Sequence, residues 1–430
     1  MILKVRKSKI KGKIDIPGSK SHTIRALFFS SLADGISEIY KPLISSDTIS
    51  AVNVCKSFGA DININKDVII VKGFGRNIKI PEDVIDVGNS GTTLAFAMAT
   101  AGLAEGYSVF TGDYQIRRRP LGPLMDAMNN LGAEVFSTRS NGCPPAVVKG
   151  KLNGGKTELD GVTSQYLSSL LINMPLADND TEVLLTRLNE VPYAQMTLWW
   201  LDKQGIIYDN DQFRTISIKG GQNYKPFKET VPGDFSSATF FMVLAAVTSG
   251  EITMRNLDMN DPQGDKAVLS ILENMGAKVS INKDSITIKG NGLKGMEIDM
   301  NAIPDALPAM AVAGCFAEGE TRLVNVLQAR LKETDRIHVM CKELQKMGAN
   351  ISEMPDGLII RKSRLKGCEL DGHGDHRIIM ALAVAGMNCP EESLISTAEA
   401  INVTFPDFVD IARKCGGLVD MIDLHGGCNE

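Results

Sequence analysis

A glycine followed by a small or apolar residue closes an amphipathic run six times along this 430-residue chain, at Gly59, Gly132, Gly205, Gly276, Gly348 and Gly416. The intervals are about 73, 73, 71, 72 and 68 residues, so six units of about 72 residues account for nearly the whole length. Each unit must then fold by the same local rules. A second marker, a polar or glycine-containing turn opening an apolar run, recurs in phase at Pro17-Gly18-Ser19, Gly88-Asn89-Ser90, Gly161-Val162-Thr163, Gly233-Asp234-Phe235, Pro304-Asp305 and Gly372-His373-Gly374.

Within a unit the pattern predicts its elements. Segments such as Ser90–Ala104, Ser236–Val247, Asp305–Phe316 and His376–Met387 are apolar almost all round and too short to span a bilayer, which predicts buried helices. Short β-prone pieces follow, as at Glu251–Met254 and Thr321–Val324. A second helix then carries one apolar stripe: Ile337, Met340, Leu344 and Met347 recur at helical spacing, with Lys342, Glu343, Gln345 and Lys346 mostly opposite. Glycine ends it, and a hairpin follows. The turn Asn65-Lys66-Asp67 returns three units later as Asn282-Lys283-Asp284, which predicts two halves of three units each.

Lys plus Arg number 46 against 51 Asp plus Glu, a formal charge of −5 that argues against general attraction to nucleic acid or membrane. The eight cysteines, at positions 55, 143, 315, 341, 368, 389, 415 and 428, include no CxxC pair and fit a reducing cytoplasm. His373-Gly-Asp-His376 has metal-like spacing but no further ligand cluster near it. No signal peptide or transmembrane run is visible, nothing demands more than a monomer, and the last few residues read as a frayed tail.

The opening turns are rich in small polar and basic residues: Ser19-Lys20-Ser21 with Arg25, Asn89-Ser90-Gly91-Thr92, Thr163-Ser164-Gln165 and Asp375-His376-Arg377. At helix N-termini such residues suit phosphate or carboxylate, because free backbone N–H groups and the positive dipole end face outward. Taken singly, each turn reads as well as an ordinary N-cap. Arg117-Arg118-Arg119-Pro120 and Lys332-Glu333-Thr334-Asp335-Arg336 are further basic clusters; the first is also readable as a solvated run and the second as an i,i+3 or i,i+4 helix network.

These segments, with Pro192-Tyr193, Gly233-Asp234, Ile303-Pro304-Asp305 and Thr404-Phe405-Pro406-Asp407, occur in an order and spacing that resembles the enolpyruvyl transferases over essentially the whole chain. Lys332–Arg336 and Asp375-His376-Arg377 are most similar to the branch whose acceptor is shikimate 3-phosphate. The resemblance implies an α/β (α+β) fold of two domains, an inside-out α/β barrel of six βαβαββ repeats, three per domain. The domains would be 1–15 plus 232–430 and 16–231, with the active site in the cleft between them.

The implied reaction moves the 1-carboxyvinyl group of phosphoenolpyruvate onto the 5-hydroxyl of shikimate 3-phosphate and releases phosphate, a step toward chorismate and the aromatic amino acids. It implies a cytoplasmic enzyme without metal or organic cofactor. By position, Lys20, Arg119, Gln165, Arg336, His376 and Arg377 would hold phosphoenolpyruvate, with Gly91 allowing close backbone approach, and Asn89 and Thr92 belong to the same turn. Ser21, Arg25 and Tyr193 would take the acceptor carboxylate, and Thr163 and Ser164 part of its phosphate. Asp305 would deprotonate the attacking hydroxyl and Glu333 exchange the proton with the methylene carbon, with Lys20 and Lys332 as proton and charge partners. For Asp305 the plainer reading is a helix N-cap after Pro304; for Glu333 it is a surface ion pair.

The chain departs from that family's pattern at four places. Glu190 stands where a serine usually meets the acceptor phosphate, Gln328 where an asparagine reads acceptor hydroxyls, Val403 where a lysine is common and Ala95 where an arginine is usual. These keep open an enolpyruvyl transferase with another, unphosphorylated hydroxy-carboxylate acceptor. A six-repeat binding scaffold or a nucleic-acid end-processing enzyme is a third reading, weakened by an acidic chain whose only tryptophans are Trp199 and Trp200.

Overall fold

All six closing glycines, Gly59, Gly132, Gly205, Gly276, Gly348 and Gly416, lie at positive φ between +68° and +116°, where a side chain would strain the backbone. They end the second helix of each unit and turn the chain into a hairpin. The computed structural model describes residues 1–65 and 67–423. Lys66, the middle residue of the Asn65-Lys66-Asp67 sequence, and residues 424–430, the segment read as a tail with Cys428, lie outside the described residues.

The fold is mixed α/β in two compact units, one formed by Gly18–Val231 and the other by Met1–Pro17 with Pro232 onward. The switch thus falls after Pro17 rather than after residue 15. The Pro17 carbonyl accepts the N–H of Asp234 (2.9 Å), whereas a Cβ on Gly18 would meet the carbonyl of Lys41 and the side chain of Val231.

In the Gly18–Val231 unit the four-stranded sheets run Lys228–Thr230, Asp34–Tyr40, Val68–Phe74, Asp61–Asn65; then Ile85–Asp86, Tyr107–Thr111, Ala146–Lys149, Glu134–Ser137; then Gly155–Gly161, Thr181–Leu188, Thr215–Ile218, Tyr208–Asp211. In the other unit they run Lys11–Asp15, Glu251–Arg255, Ser285–Lys289, Lys278–Asn282; then Glu297–Asp299, Glu320–Val324, Gly357–Arg361, Asn350–Met354; then Glu369–Leu370, Ser393–Ile395, Ile2–Arg6, Leu418–Ile422. Every one pairs its first two strands in parallel and the rest antiparallel. A parallel pair needs a crossover. In four of the six sheets the buried helix supplies it, lying between the two parallel strands in the chain. In the other two the first strand comes from the far end of the unit, Lys228–Thr230 beside Asp34–Tyr40 and Lys11–Asp15 beside Glu251–Arg255.

The buried helices are Lys20–Ser31, Gly91–Gly102, Ser164–Asn173, Phe235–Val247, Leu307–Phe316 and His376–Gly386. Each unit wraps its sheets around three of them as one hydrophobic core. The helix expected from Asp305 opens instead with a 3-10 turn, Pro304–Ala306, and becomes α-helical at Leu307, with Pro308 in its first turn. The striped helix Arg336–Lys346 buries Ile337, Met340 and Leu344 as expected, but also Glu343. Placed on the polar side by the sequence pattern, Glu343 is fully buried and accepts from Lys346 Nζ (2.7 Å) and the Asp371 N–H (3.0 Å), with His373 Nε2 at 3.1 Å from its other oxygen. Burial alone would raise its pKa, but Lys346, the Asp371 N–H and His373 together hold it low. Among the described residues no helix is long and apolar enough to cross a membrane.

Candidate active site

In the Gly18–Val231 unit the N-termini of the three buried helices gather the predicted anion-binding residues. Ser19, Ser90 and Thr163 cap them through their side chains, so the plain N-cap reading holds for those three hydroxyls. The residues just beyond do something else. Arg25 is 3 % exposed, and its guanidinium donates to Thr197 Oγ1 (2.9 Å), the Ser21 carbonyl (3.1 Å), Ser168 Oγ (3.3 Å) and the Tyr193 carbonyl (2.9 Å). All these acceptors are neutral. Burial lowers its pKa to about 9, which leaves it charged at neutral pH and short of a counter-anion.

Gly91 lies against Arg119: a Cβ there would sit 2.3 Å from Arg119 Nη1 and 3.4 Å from Gln165 Oε1. Gln165 Nε2 in turn donates to Thr92 Oγ1 (3.2 Å). The arginine cluster divides, since Arg117 and Arg118 are exposed, Arg118 stacking over the Tyr114 ring at 5.5 Å, while Arg119 turns inward. The run is thus solvated at Arg117 and Arg118 but not at Arg119, which packs against Gly91. Lys20 pairs with Asp47 (3.1 Å), an acidic residue in the first turn of the Ser46–Ser57 helix. Asn89 is committed to Asp113 Oδ2 (2.6 Å) and Gln115 Oε1 (2.5 Å), a brace for the turn.

Glu190, 2 % exposed and in left-handed backbone at φ +57°, accepts on Oε2 from Thr163 Oγ1 (3.1 Å), the Ser164 N–H (3.2 Å) and Ser164 Oγ (2.9 Å). Ala95 is buried in the core, its carbonyl accepting from Ser169 Oγ (2.5 Å).

In the other unit Arg336 is the organising group. It is 1 % exposed and donates to Asp305 Oδ1 (2.9 Å), Glu333 Oε2 (2.5 Å) and both oxygens of Asp375 (2.9 and 3.2 Å). Burial would lower its pKa, but Asp375, Glu333 and Asp305 raise it well above the ordinary arginine value. Arg377 Nη2 takes the other oxygen of Asp305 (2.9 Å). Asp305 therefore bridges two guanidinium groups, and the N-cap reading fails: no side-chain cap bond is present at that turn. Glu333 is not a surface pair, being 9 % exposed in its side chain and bonded to the buried Arg336. The helix-network reading also fails, because the helix begins only at Arg336 and Asp335 caps it.

Asp375 had no role assigned from the sequence. It caps the His376–Gly386 helix through the Arg377 N–H (2.9 Å), accepts from Thr334 Oγ1 (3.0 Å) and anchors Arg336, which holds its pKa low against the effect of burial. Its place in Asp-His-Arg was the available signal. His376 is 1 % exposed and neither ring nitrogen makes a hydrogen bond. Burial drives its pKa to about 3, with Glu333 and Asp375 pulling the other way, so the imidazole is neutral. The metal-like histidine pair is split, since His373 faces Glu343, and no group of three or more metal-type ligands occurs among the described residues. Gln328 is buried and donates to the Asn301 carbonyl (3.0 Å). Lys332 and Val403 are half-buried.

Asp265, also missed, is 2 % exposed, accepts from Ser236 Oγ and feels Asp305 and Arg377; burial first, then Asp305, raises its pKa to about 7. Trp200 is core, stacked on Phe29 at 5.5 Å, and offers no face to a nucleobase.

Comparison with known proteins agrees on one family. The family model for EPSP synthase (3-phosphoshikimate 1-carboxyvinyltransferase) matches residues 5–411. A 3-phosphoshikimate 1-carboxyvinyltransferase of Acetivibrio thermocellus is 67% identical over 416 residues, 97% of this chain and 98% of the relative. One of Ruminiclostridium cellulolyticum is 60% identical over 98% of this chain and 100% of the relative. A solved structure of EPSP synthase from Acinetobacter baumannii superposes with a TM-score of 0.82 at 28% identity, covering 98% of this chain and 100% of that one.

Proposed function

The chain belongs to the EPSP synthase family, and from that premise we infer that it transfers the 1-carboxyvinyl group of phosphoenolpyruvate to the 5-hydroxyl of shikimate 3-phosphate, releasing phosphate. The relatives carry the phosphorylated-acceptor name, which favours this reading over an unphosphorylated acceptor. The observation that carries the chemistry is the buried Arg336 guanidinium holding Asp305 and Glu333 in one cluster.

The reaction adds the acceptor O–H across the double bond of phosphoenolpyruvate, oxygen to C2 and a proton to the methylene, and then expels a methyl proton and phosphate. It needs one group at the oxygen and one at the carbon. Asp305, oriented through both oxygens by Arg336 and Arg377, takes the hydroxyl proton. Glu333 gives a proton to the methylene and takes one back in the elimination. Lys20, Arg119, Gln165, Arg336, His376 and Arg377 hold phosphoenolpyruvate, and Lys332 offsets charge beside Glu333. The shortage of counter-anion at Arg25 suits the acceptor carboxylate, with Ser21 and Tyr193 beside it. Thr163 and Ser164 serve the acceptor phosphate, and Gln328 the ring hydroxyls.

We read the six like-ordered sheets as six βαβαββ repeats of an inside-out α/β barrel, three per unit. The reading makes the enzyme a monomer and places it in the cytoplasm, and free cysteines throughout the described residues support that compartment. Phosphate release from phosphoenolpyruvate, measured with shikimate 3-phosphate and with shikimate, tests it. Release that depends on the phosphorylated acceptor is expected; release with shikimate alone would overturn the acceptor, and none with either would overturn the function.

A further inference from the structure

We propose that Glu190 is a built-in anion that fills the acceptor-phosphate seat of the empty enzyme and must be exchanged for the incoming phosphate, so that free inorganic phosphate is kept out. This rests on the reading of Thr163 and Ser164 as the seat for the acceptor phosphate. A single carboxylate oxygen takes three donors of that turn, Thr163 Oγ1, the Ser164 N–H and Ser164 Oγ, at 2.9 to 3.2 Å. Those donors lie at the N-terminus of a ten-residue helix, Ser164–Asn173, where the dipole adds to their pull on an anion.

Two anions cannot share these donors. Glu190 and a phosphate at contact distance repel, and little water screens them, with Glu190 and Ser164 each 2 % exposed and Thr163 half-buried. The carboxylate is aimed there by its own backbone. Glu190 sits in left-handed conformation (φ 57°, ψ 38°) immediately before the Val191–Gln204 helix, which turns its side chain back to the Thr163 turn rather than to a cap bond of its own helix. The Tyr193 N–H closes on the Glu190 carbonyl (3.0 Å) and the Tyr193 carbonyl receives Arg25 (2.9 Å), so the gate is joined to the arginine proposed for the acceptor carboxylate.

A ligand that brings both a carboxylate for Arg25 and a phosphate for the seat gains enough contacts to displace Glu190. Inorganic phosphate, which the reaction itself releases, brings only one. A serine at this position would leave the seat open to that product.

The test uses the full-length protein with Glu190→Gln, which keeps the shape and removes the charge, and Glu190→Asn, which suits left-handed backbone but is too short to reach the turn. Binding of shikimate 3-phosphate is measured by calorimetry without phosphoenolpyruvate, alone and in competition with inorganic phosphate. In both variants the acceptor is expected to bind about ten- to a hundredfold more tightly, and inorganic phosphate to compete at correspondingly lower concentration, the scale of one charge-assisted contact. Unchanged acceptor affinity and unchanged competition in both variants overturn the gate. Turnover of the native protein is scored separately: tighter acceptor binding in the variants with no phosphate release by the native enzyme would sink the proposed function and leave the gate standing.

Discussion

Because His376 is almost fully buried without a hydrogen bond to either nitrogen, acid should destabilise the protein through this one residue, and replacing it should remove that loss. Its pKa stands near 3 in the folded chain against an ordinary 6.5. Below 6.5 the unfolded imidazole takes a proton that the folded one refuses until about pH 3. The stability present above pH 6.5 is therefore lost as the pH falls across that window. At pH 5 the gap in proton binding corresponds to about 2 kcal/mol, taking 1.36 kcal/mol for each of the roughly 1.5 pH units below the ordinary value.

His376→Leu eliminates the titration and breaks no hydrogen bond, so it should leave stability at pH 7.5 within about 1 kcal/mol and unfold less readily than native protein at pH 5. Urea denaturation of both proteins at the two pH values isolates the residue, since the carboxylates common to both cancel in the double difference. NMR titration of the imidazole protons checks the cause directly. Two findings would refute the reasoning: a His376 resonance titrating near pH 6.5, and an equal loss from pH 7.5 to 5 in both proteins. The charged groups around the ring oppose one another, Glu333 and Asp375 against Arg377 and Arg336, which is why desolvation decides its state.

Asp305→Asn and Glu333→Gln should each lower kcat about 10²-fold or more while changing substrate affinity far less, as measured by steady-state turnover and by calorimetry; near-native kcat in either removes that residue from the proton path. Gly91→Ala places a methyl 2.3 Å from Arg119 Nη1 and should raise the KM for phosphoenolpyruvate about tenfold at unchanged melting temperature, because the guanidinium must shift but the backbone is not strained. Arg119→Ala should weaken phosphoenolpyruvate binding about ten- to a hundredfold, whereas Arg117→Ala and Arg118→Ala, on exposed side chains, should change it less than about twofold; equal effects at all three would contradict the division of the cluster. Asp375→Asn should destabilise the protein by about 3 kcal/mol in urea at pH 7, since it keeps the helix cap but leaves Arg336 without its most buried partner.

The sheets and buried helices were legible because their causes are local. A glycine needed at positive φ, an apolar run long enough for a helix and an alternating hairpin each act within about ten residues, and six repetitions made them unmistakable. The short motifs Lys332–Arg336 and Asp375–Arg377 likewise contain Glu333, Arg336 and Asp375, three of the groups that meet in the buried ion cluster. Pro304–Ala306 shows where local reading ran short: prolines at positions 304 and 308 favour a tight 3-10 turn before the helix, so Asp305 points into the ion cluster instead of capping.

The chain's own order of residues determined the repeat, the ends of its helices, the apolar interior and the inventory of charged groups at the helix starts. Only the tertiary structure decided how those charges pair. Arg25 meets Thr197 from 172 residues away, Arg336 meets Asp375 from 39, and Glu190 meets Ser164 from 26. It also decided that Glu343 is buried, that Arg119 parts from Arg117 and Arg118, and that His376 is neutral. Periodicity records which face of an element is apolar, but a charge is set by what surrounds it in space: water removed, donors supplied, and opposite charges brought close by segments far apart along the chain.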